Sequence, residues 1–277
     1  MNYCNPEGFR NEIKELLARG DIDTFYHWFD GGGTKEGAFE KGKDVFARVI
    51  SPYMYKYRQV KANEKLVALD LGYGAGTKIQ AALGPFSTVY GVDVHEEFDF
   101  VFDNLNIPKD REVRLLAGDG TTIPVGSTMV DFLYSWSVFG RLGTIKNVEQ
   151  YLKEAYRVLK PGGVAVLFFV RLLRSGKNQT WGEVEADMVK ETTHPTGYRE
   201  GGPKSKVRSI NLVVSMYVME QLAEAAKFKV LEKTASWSHT VAGRVYHGQY
   251  GIVLMKPKLK KAVKKPVIKR TIKRRKK

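Results

Sequence analysis

Apolar residues in this chain fall into short continuous blocks rather than strict alternation: Leu66–Leu71, Val89–Val92, Leu115–Ala117, Val130–Tyr134, Val164–Val170 and, late in the chain, Val245–Met255. Blocks of this length read as parallel strands covered on both faces. Between and before them the spacing becomes helical. Residues 7–19 place Ile13, Leu16 and Leu17 on one side, and a second helix is predicted from Lys35 to about Arg58, with Phe39, Val45, Phe46, Val49 and Ile50 marking its apolar face. Pro52 should kink or divide that helix near Ser51, because its ring removes a hydrogen bond and disfavours helix in the residue before it. Further helices are expected over 77–82, before Pro161-Gly162-Gly163, and within 215–227. Strands alternating with helices predict an α/β fold with a mostly parallel sheet.

The first block is the most informative. Leu66-Val-Ala-Leu-Asp-Leu-Gly-Tyr-Gly-Ala-Gly76 joins a buried strand to a glycine turn with Asp70 at the junction. Gly72, Gly74 and Gly76 let the backbone turn sharply and approach a ligand, and the helix that follows would aim its first N–H groups at that ligand. Nicotinamide and flavin proteins use a similar turn, but the spacing here is Asp-x-Gly-x-Gly-x-Gly, with Thr77 where the dinucleotide pattern has Gly or Ala. A carboxylate just before the turn suits a cationic ligand group better than a pyrophosphate.

The turn resembles the first motif of the class I S-adenosylmethionine (SAM) dependent methyltransferases, and further likenesses follow in order over roughly residues 60–255. Val89-Tyr-Gly-Val-Asp93 is similar to the second strand, and the resemblance implies that Asp93 accepts hydrogen bonds from the ribose hydroxyls; it lies 17 residues after Gly76. Leu115-Leu-Ala-Gly-Asp-Gly-Thr-Thr-Ile-Pro124 is similar to the third-strand motif, with Asp119 implied at the adenine amino group and Gly120 beside it. Val130–Ser135 resembles the fourth strand, whose end at Ser135 would face the methyl group. Tyr156–Gly163 followed by Val164–Val170 resembles the helix, Pro-Gly-Gly turn and fifth strand. Ser215–Val230 looks like the late helix and the start of the sixth strand, with Lys227-Phe228 in place of the usual Gly-Phe pair. The resemblance implies a Rossmann-like sheet of seven strands in the order 3-2-1-4-5-7-6, SAM as cofactor, and a cofactor pocket built from Asp70, Gly72, Gly74, Gly76, Asp93, Asp119, Gly120 and Ser135.

Composition changes this picture little until charge is located along the chain. The formal net charge is +15, from 45 Lys and Arg against 30 Asp and Glu. Residues 256–277 hold 13 of the basic residues and no acid, so residues 1–255 carry 32 basic and 30 acidic residues. The body is nearly neutral, and the tail, interrupted by Pro257 and Pro266, is expected to be disordered. It serves as a solubility tail, a contact for RNA or DNA phosphates, or a contact for an anionic membrane; contacts of the last two kinds weaken as salt rises. No apolar stretch approaches the ~20 residues of a membrane span. The first residues lack the basic start and apolar core of a signal peptide, so the expected location is cytoplasmic. Cys4 is the only cysteine, and His27, His95, His194, His239 and His247 show no metal-site spacing. Metal-free catalysis is expected.

Three segments follow from this reading: an N-terminal helical lid or flank over 1–59, the SAM domain over 60–255, and the basic tail. Asp23-Thr-Phe-Tyr-His-Trp-Phe-Asp30 concentrates five aromatic rings, which either close over the cofactor or anchor the segment to the core. Residues 171–211 are too long for a strand-to-helix loop and read as an acceptor-binding cap or a mobile surface insertion. Within it, His194 and Tyr198 are candidates for a base or an acceptor-orienting pair. Arg141, Arg171 and Arg174 are candidates for holding an anionic group on the acceptor. The region after the fourth strand has Ser135-Trp-Ser-Val in place of the Asn-Pro-Pro-Tyr or Asp-Pro-Pro-Tyr of amino-directed nucleic-acid methyltransferases, and a cysteine nucleophile for cytosine is lacking. The acceptor expected is therefore an O or N atom of a small molecule, sugar or glycan, or lipid-linked intermediate. The alternatives are RNA or protein methylation guided by the tail, and a non-catalytic SAM-binding or nucleic-acid-binding protein.

Overall fold

The computed structural model describes residues 6–58, 64–170, 197–200, 212–236, 239–241, 244–246 and 249–258. In chain order its elements begin with α1 (Pro6–Ala18), α2 (Ile22–Asp30) and α3 (Lys35–Val45), then a π-helical turn over Phe46–Ile50 and α4 (Ser51–Arg58). The helix expected over 35–58 is divided next to Ser51, where Pro52 was expected to break it. Ser51 N–H bonds to Phe46 O rather than to the oxygen four residues back. The wider turn falls just ahead of Pro52, whose missing N–H and bulky ring disrupt the α-helical ladder, and the chain absorbs the proline without ending the helical path.

The apolar blocks form the central sheet. Its strands are β1 (Val67–Leu71), β2 (Thr88–Asp93), β3 (Glu112–Ala117), β4 (Val130–Ser135) and β5 (Leu159–Phe169), connected through α5 (Thr77–Ala82), α6 (Phe98–Asp103) and α7 (Ile145–Val158). After β5 come the short strands β6 (Tyr198–Glu200) and β7 (Leu212–Val214), which pair with each other, then α8 (Met216–Ala225), β8 (Lys229–Ala235), a separate hairpin of β9 (His239–Val241) and β10 (Arg244–Tyr246), and β11 (Tyr250–Met255). The sheet order is β3-β2-β1-β4-β5-β11-β8, which becomes 3-2-1-4-5-7-6 when only its own strands are counted. β1 to β5 pair in parallel, and β11 is antiparallel to both β5 and β8.

One expectation about boundaries changes, and one sequence departure leaves the turn in place. Val245–Met255 is not one strand: Arg244–Tyr246 pairs with His239–Val241, and only Tyr250–Met255 joins the sheet. Lys227, which replaces the glycine usual before the sixth strand, takes the left-handed backbone conformation that a glycine would adopt there, with φ 70°.

Successive side chains along a strand point to opposite faces, so the sheet supports two cores. Leu133, Ala165, Leu167 and Phe169 face α7 and α8, where Val148, Tyr151, Leu152, Ala155 and Val158 supply the helical stripe. Phe132, Tyr134, Val164, Val166 and Phe168 face the other way, toward Ile13, Phe25, Tyr26, Trp28, Phe46, Ile50 and Met54 of the N-terminal helices. Phe25 and Tyr26 are fully buried and Trp28 nearly so. The aromatic block is therefore part of a core shared with the sheet.

Candidate functional site

The glycine turn sits at the carboxyl edge of the parallel strands, where an open α/β sheet binds ligands. Gly72 donates its N–H to Val92 O at 2.7 Å, which ties the turn to β2. Gly72 and Gly74 have φ of 81° and 57°, the left-handed region that favours glycine. Space is also short: a Cβ on Gly72 would lie 2.0 Å from Val138 Cγ2, and one on Gly74 would lie 2.7 Å from Phe29 Cδ1. The chain's own side chains, from the loop after β4 and from α2, thus close on the turn.

Asp93 and His95 hold the turn from the β2 side. Asp93 Oδ2 accepts from Gly74 N at 2.9 Å, and Oδ1 accepts from Val94 N at 2.7 Å. Each carboxylate oxygen retains a second lone pair for a ligand hydroxyl. His95 is fully buried; its Nδ1 accepts from Glu97 N, which leaves Nε2 to donate to Gly74 O at 2.9 Å. The Gly74 peptide is gripped through both its N–H and its carbonyl.

Asp70 differs from these groups. It is fully buried, and both its carboxylate oxygens lack a hydrogen-bond partner. Burial pushes its pKa up to about 7, the ammonium of Lys78 pulls it down, and the carboxylates of Asp30 and Asp93 push it up again. Lys78 is itself buried and bonds Asp30 Oδ1 at 2.7 Å, while Thr77 Oγ1 donates to Asp30 Oδ2 at 2.7 Å. Burial works to discharge Lys78, but the neighbouring carboxylates outweigh it and hold the ammonium above its usual range. Asp30 ends α2, so this ion pair fastens the N-terminal segment to the helix that follows the glycine turn. Tyr73 within the turn and Tyr26 on α2 also carry buried hydroxyls without a partner. Unpaired buried polar atoms are uncommon and call for an explanation. Here Asp70 and Tyr73 flank the turn, and Tyr26 stands close enough to Asp30 for that carboxylate to raise its pKa further.

The remaining candidates lie around this edge in different states. Asp119 is exposed; partial burial raises its pKa, but hydrogen bonds from Thr122 N, Thr121 N and the Thr121 hydroxyl outweigh it and hold the carboxyl below its usual range. Gly120 is buried with φ 87°. Ser135 Oγ donates to Leu71 O at 2.9 Å, tying the end of β4 to the end of β1. Arg141 ends the 3-10 turn Phe139–Arg141 that follows Val138. Tyr198 is half-buried on β6 and packs against the core face shared with α7 and α8. The ribbon carrying it is fastened below: Ser215 N donates to Gly197 O at 2.7 Å and Ile145 N to Glu200 Oε1 at 2.9 Å. His194, Arg171 and Arg174 lie outside the described residues, as do most of the cap at 171–211 and the tail beyond Lys258.

Residues 69–167, from the strand before the glycine turn to the fifth strand, match the family model of a methyltransferase domain. Over this stretch the chain carries a methyltransferase domain. The architecture agrees. A SAM-dependent methyltransferase from Methanosarcina mazei superposes with a TM-score of 0.53 at 15% identity, covering 75% of this chain and 98% of its own. The [4+2]-cyclase SpnF does so with a TM-score of 0.51 at 14% identity, covering 81% of this chain and 84% of its own. Among curated proteins, a demethylmenaquinone methyltransferase of Staphylococcus aureus (strain JH9) is 29% identical over 149 residues, which covers 44% of this chain and 57% of that relative. The chain therefore spans little more than half the length of the curated relative it matches.

Within the methyltransferase domain, the residues at the turn suit SAM on one test that is independent of family. SAM is a cation with an ammonium group, and Asp70 is a buried carboxylate that lacks a partner. Sequence reading found Asp70 and Asp93 but missed Asp30, Lys78 and His95. Asp30 and Lys78 are 48 residues apart, and nothing in local spacing pairs them. His95, two residues past Asp93, was weighed only as a metal ligand.

Proposed function

We propose that this methyltransferase domain binds SAM at the β1 turn and transfers the methyl group to an O or N atom of a small-molecule, sugar or lipid-linked acceptor. The observation that carries the reading is the buried, unpartnered Asp70 carboxylate beside a glycine turn already gripped by Asp93 and His95. In this reading Asp70 faces the cationic amino-acid end of the cofactor, Asp93 accepts from the ribose hydroxyls through its remaining lone pairs, and Asp119 accepts from the adenine amino group. Gly120 gives backbone room beside Asp119, and Gly76 starts α5. When bound, SAM supplies a methyl group already activated on a cationic sulfur. The chain's task is then to align an acceptor for in-line displacement, and alignment can carry much of the rate.

His194 and Tyr198 are assigned to orienting or deprotonating the acceptor, a step a neutral hydroxyl needs more than an amine does. Arg141, Arg171 and Arg174 are assigned to an anionic group on it. A small acceptor is supported by Ser135-Trp-Ser-Val, which stands after β4 where amino-directed nucleic-acid methyltransferases carry Asn-Pro-Pro-Tyr or Asp-Pro-Pro-Tyr; the tail is rooted at the far end of the sheet. β11 runs antiparallel to β5 and ends with Met255 opposite Val164, at the edge of the sheet away from the glycine turn. Along β5 that separation is five residues, about 17 Å at the rise of an extended strand, a distance the tail's own length can span. The rival reading, RNA or protein methylation guided by the tail, rests on the 13 basic residues of 256–277. Among the described residues no helix is long and apolar enough to cross a membrane, and a cytoplasmic site of action is part of the proposal.

Methyl-labelled SAM incubated with the protein and a fractionated cell extract tests the reading. Label in the soluble or lipid-extractable fraction is expected; label that is acid-precipitable and lost on nuclease or protease treatment transfers the assignment to a macromolecule. Turnover of any kind removes the non-catalytic alternative. Asp93→Ala is expected to weaken SAM binding by about 10- to 100-fold in calorimetry, through loss of charged hydrogen bonds, and an unchanged affinity would mean that the pocket is misplaced.

Deleting the tail should leave SAM affinity within about twofold, because one hydrogen bond's worth of change at the turn would exceed that, provided the cut follows Lys258. Lys256 Nζ donates to Tyr156 O at 2.7 Å and Leu159 O at 2.8 Å, and stands over the Tyr156 ring. It caps the carboxyl end of α7, so a cut before it would remove a structural cation. A large loss of affinity from the later cut would place the tail in the site.

A further inference from the structure

Beyond the cofactor turn, one half-buried side chain on the same edge of the sheet is left with a buried, unused polar atom. Gln249 immediately precedes β11, whose Tyr250 pairs with Phe169 at the end of β5. Because β11 is antiparallel, its beginning stands at the carboxyl edge of the parallel strands, the edge that carries the glycine turn. Gln249 Nε2 donates to Ser137 Oγ at 2.8 Å. Its backbone is clamped to Ser236, with Gln249 N donating to Ser236 Oγ at 2.7 Å and Ser236 N donating to Gln249 O at 2.8 Å. The side-chain oxygen Oε1 is buried and has no hydrogen-bond partner.

Ser137 links this amide to the cofactor turn. It lies in the loop after β4, and its neighbour Val138 is the residue that fills the space over Gly72. Ser137 has φ 63°, a left-handed conformation that is unusual for a serine and is found preferentially where a site fixes the backbone. Having accepted from Gln249 Nε2, the Ser137 hydroxyl keeps its own proton to donate. The pair therefore presents one acceptor, Gln249 Oε1, and one donor, the Ser137 hydroxyl, side by side. A ligand hydroxyl satisfies both at once, as it gives a proton to Oε1 and takes one from Ser137. An amine bearing N–H satisfies Oε1 too. A carboxylate has no proton to give and would set its oxygens against Oε1.

We propose that the Gln249 amide, braced on Ser137, is the acceptor-orienting element of this site and selects an alcohol, phenol or amine over a carboxylate. The inference rests on the methyltransferase reading above and narrows it to acceptors that bring an O–H or N–H to the reaction. Gln249 and Ser137 are 112 residues apart; Ser137 lies in the Ser135-Trp-Ser-Val stretch after the fourth strand, and Gln249 lies in no motif that a linear reading would select.

The test uses the full chain loaded with S-adenosylhomocysteine, and 1-naphthol and 1-methoxynaphthalene as probes in calorimetry. The two differ in the hydroxyl proton, and the naphthyl ring can pack on half-buried Trp136, beside Ser137. Wild-type protein should bind 1-naphthol about 5- to 10-fold more tightly than the methoxy compound, the ratio for one buried hydrogen bond. Gln249→Leu should bring that ratio to about one while leaving S-adenosylhomocysteine affinity within about twofold, since the bond removed is not at the cofactor. Ser137→Gly is the second variant: it keeps the left-handed backbone, removes the brace and should lower the ratio without unfolding the loop. A ratio of one in the wild type, failure of 1-naphthol to bind the loaded protein, or a ratio that persists in Gln249→Leu overturns the assignment. Failure of the wild type to bind S-adenosylhomocysteine overturns the methyltransferase reading instead, and is seen before any naphthyl probe is added.

Discussion

Asp70→Asn is expected to weaken SAM binding by about 100-fold, the value of a charged hydrogen bond in a buried site, and at the same time to make the ligand-free protein more stable above pH 7. Both effects have one cause. The Asp70 carboxylate is fully buried without a hydrogen-bond partner, and its pKa stands at about 7 rather than near 4. A raised carboxyl pKa means that the folded state holds its proton more tightly than the unfolded chain does. The contribution of Asp70 to stability is therefore fully present below about pH 4, falls as pH rises, and is lost above about 7, with a total of roughly 4 kcal/mol for a shift of about three units. Asparagine carries no charge to desolvate, so urea denaturation of the variant should lose this decline. Cofactor binding should show the reverse slope. A cationic ligand needs the ionised carboxylate, and SAM affinity of the wild type should rise about tenfold between pH 6 and pH 7.5, as a single group with pKa near 7 ionises. The groups facing Asp70 are Lys78 on α5, Asp30 on α2, Asp93 on β2, and Tyr73 and Tyr134. A flat binding profile, together with unchanged affinity in Asp70→Asn, would sink the assignment of Asp70 to the cofactor.

The glycine turn was legible in the sequence because its chemistry is local. Five apolar residues, an acid and three glycines in eleven positions leave few ways to fold, and the structure builds a strand, a left-handed turn and a helix from them. The two-faced burial of the sheet was likewise visible as continuous apolar runs. The order of the strands was not visible in any periodicity and came from the family resemblance alone. Local patterning also misled at one place. Val245 and Tyr246 extend an apolar run that reaches Met255, yet they pair with the strand before them instead of joining the sheet. The apolar stripe of residues 35–58 continues through Pro52, and periodicity alone does not reveal that a π-helical turn absorbs the proline.

The groups that complete the site were hidden for a different reason. Asp30 with Lys78, Gly74 with His95, and Ser137 with Gln249 are brought together by the crossovers of the sheet and by the N-terminal helices folding back on it. A buried lysine two positions past the glycine motif is unremarkable until the carboxylate that neutralises it is found on another element. The aromatic block of α2 illustrates the same point. Its rings could anchor or cover, and packing shows that the residues that anchor it, Phe25 and Tyr26, differ from the one that reaches the turn, Phe29.

Lys78→Met should destabilise the protein by about 3–5 kcal/mol, the usual cost of breaking a buried ion pair from one side. The side chains of Lys78 and Asp30 are only 5% and 11% exposed, so water does little to compensate Asp30 when the ammonium is removed. Methionine fills similar volume, and the loss is therefore electrostatic rather than a cavity effect. The double variant Asp30→Asn/Lys78→Met should recover most of that stability, because it removes the stranded Asp30 charge together with the lysine, and the asparagine oxygen can still accept from Thr77. Urea denaturation at pH 7.5 measures both variants. A second readout separates this from a generic core lesion. Lys78 is the one group that pulls the Asp70 pKa down by charge, so Asp70 in Lys78→Met should titrate above its wild-type value of about 7, visible by NMR of carboxyl-labelled protein. If the single variant loses less than about 1 kcal/mol, the value of an exposed ion pair, α2 is not fastened to the glycine-turn helix through this charge pair, and the N-terminal segment is held by its aromatic residues alone.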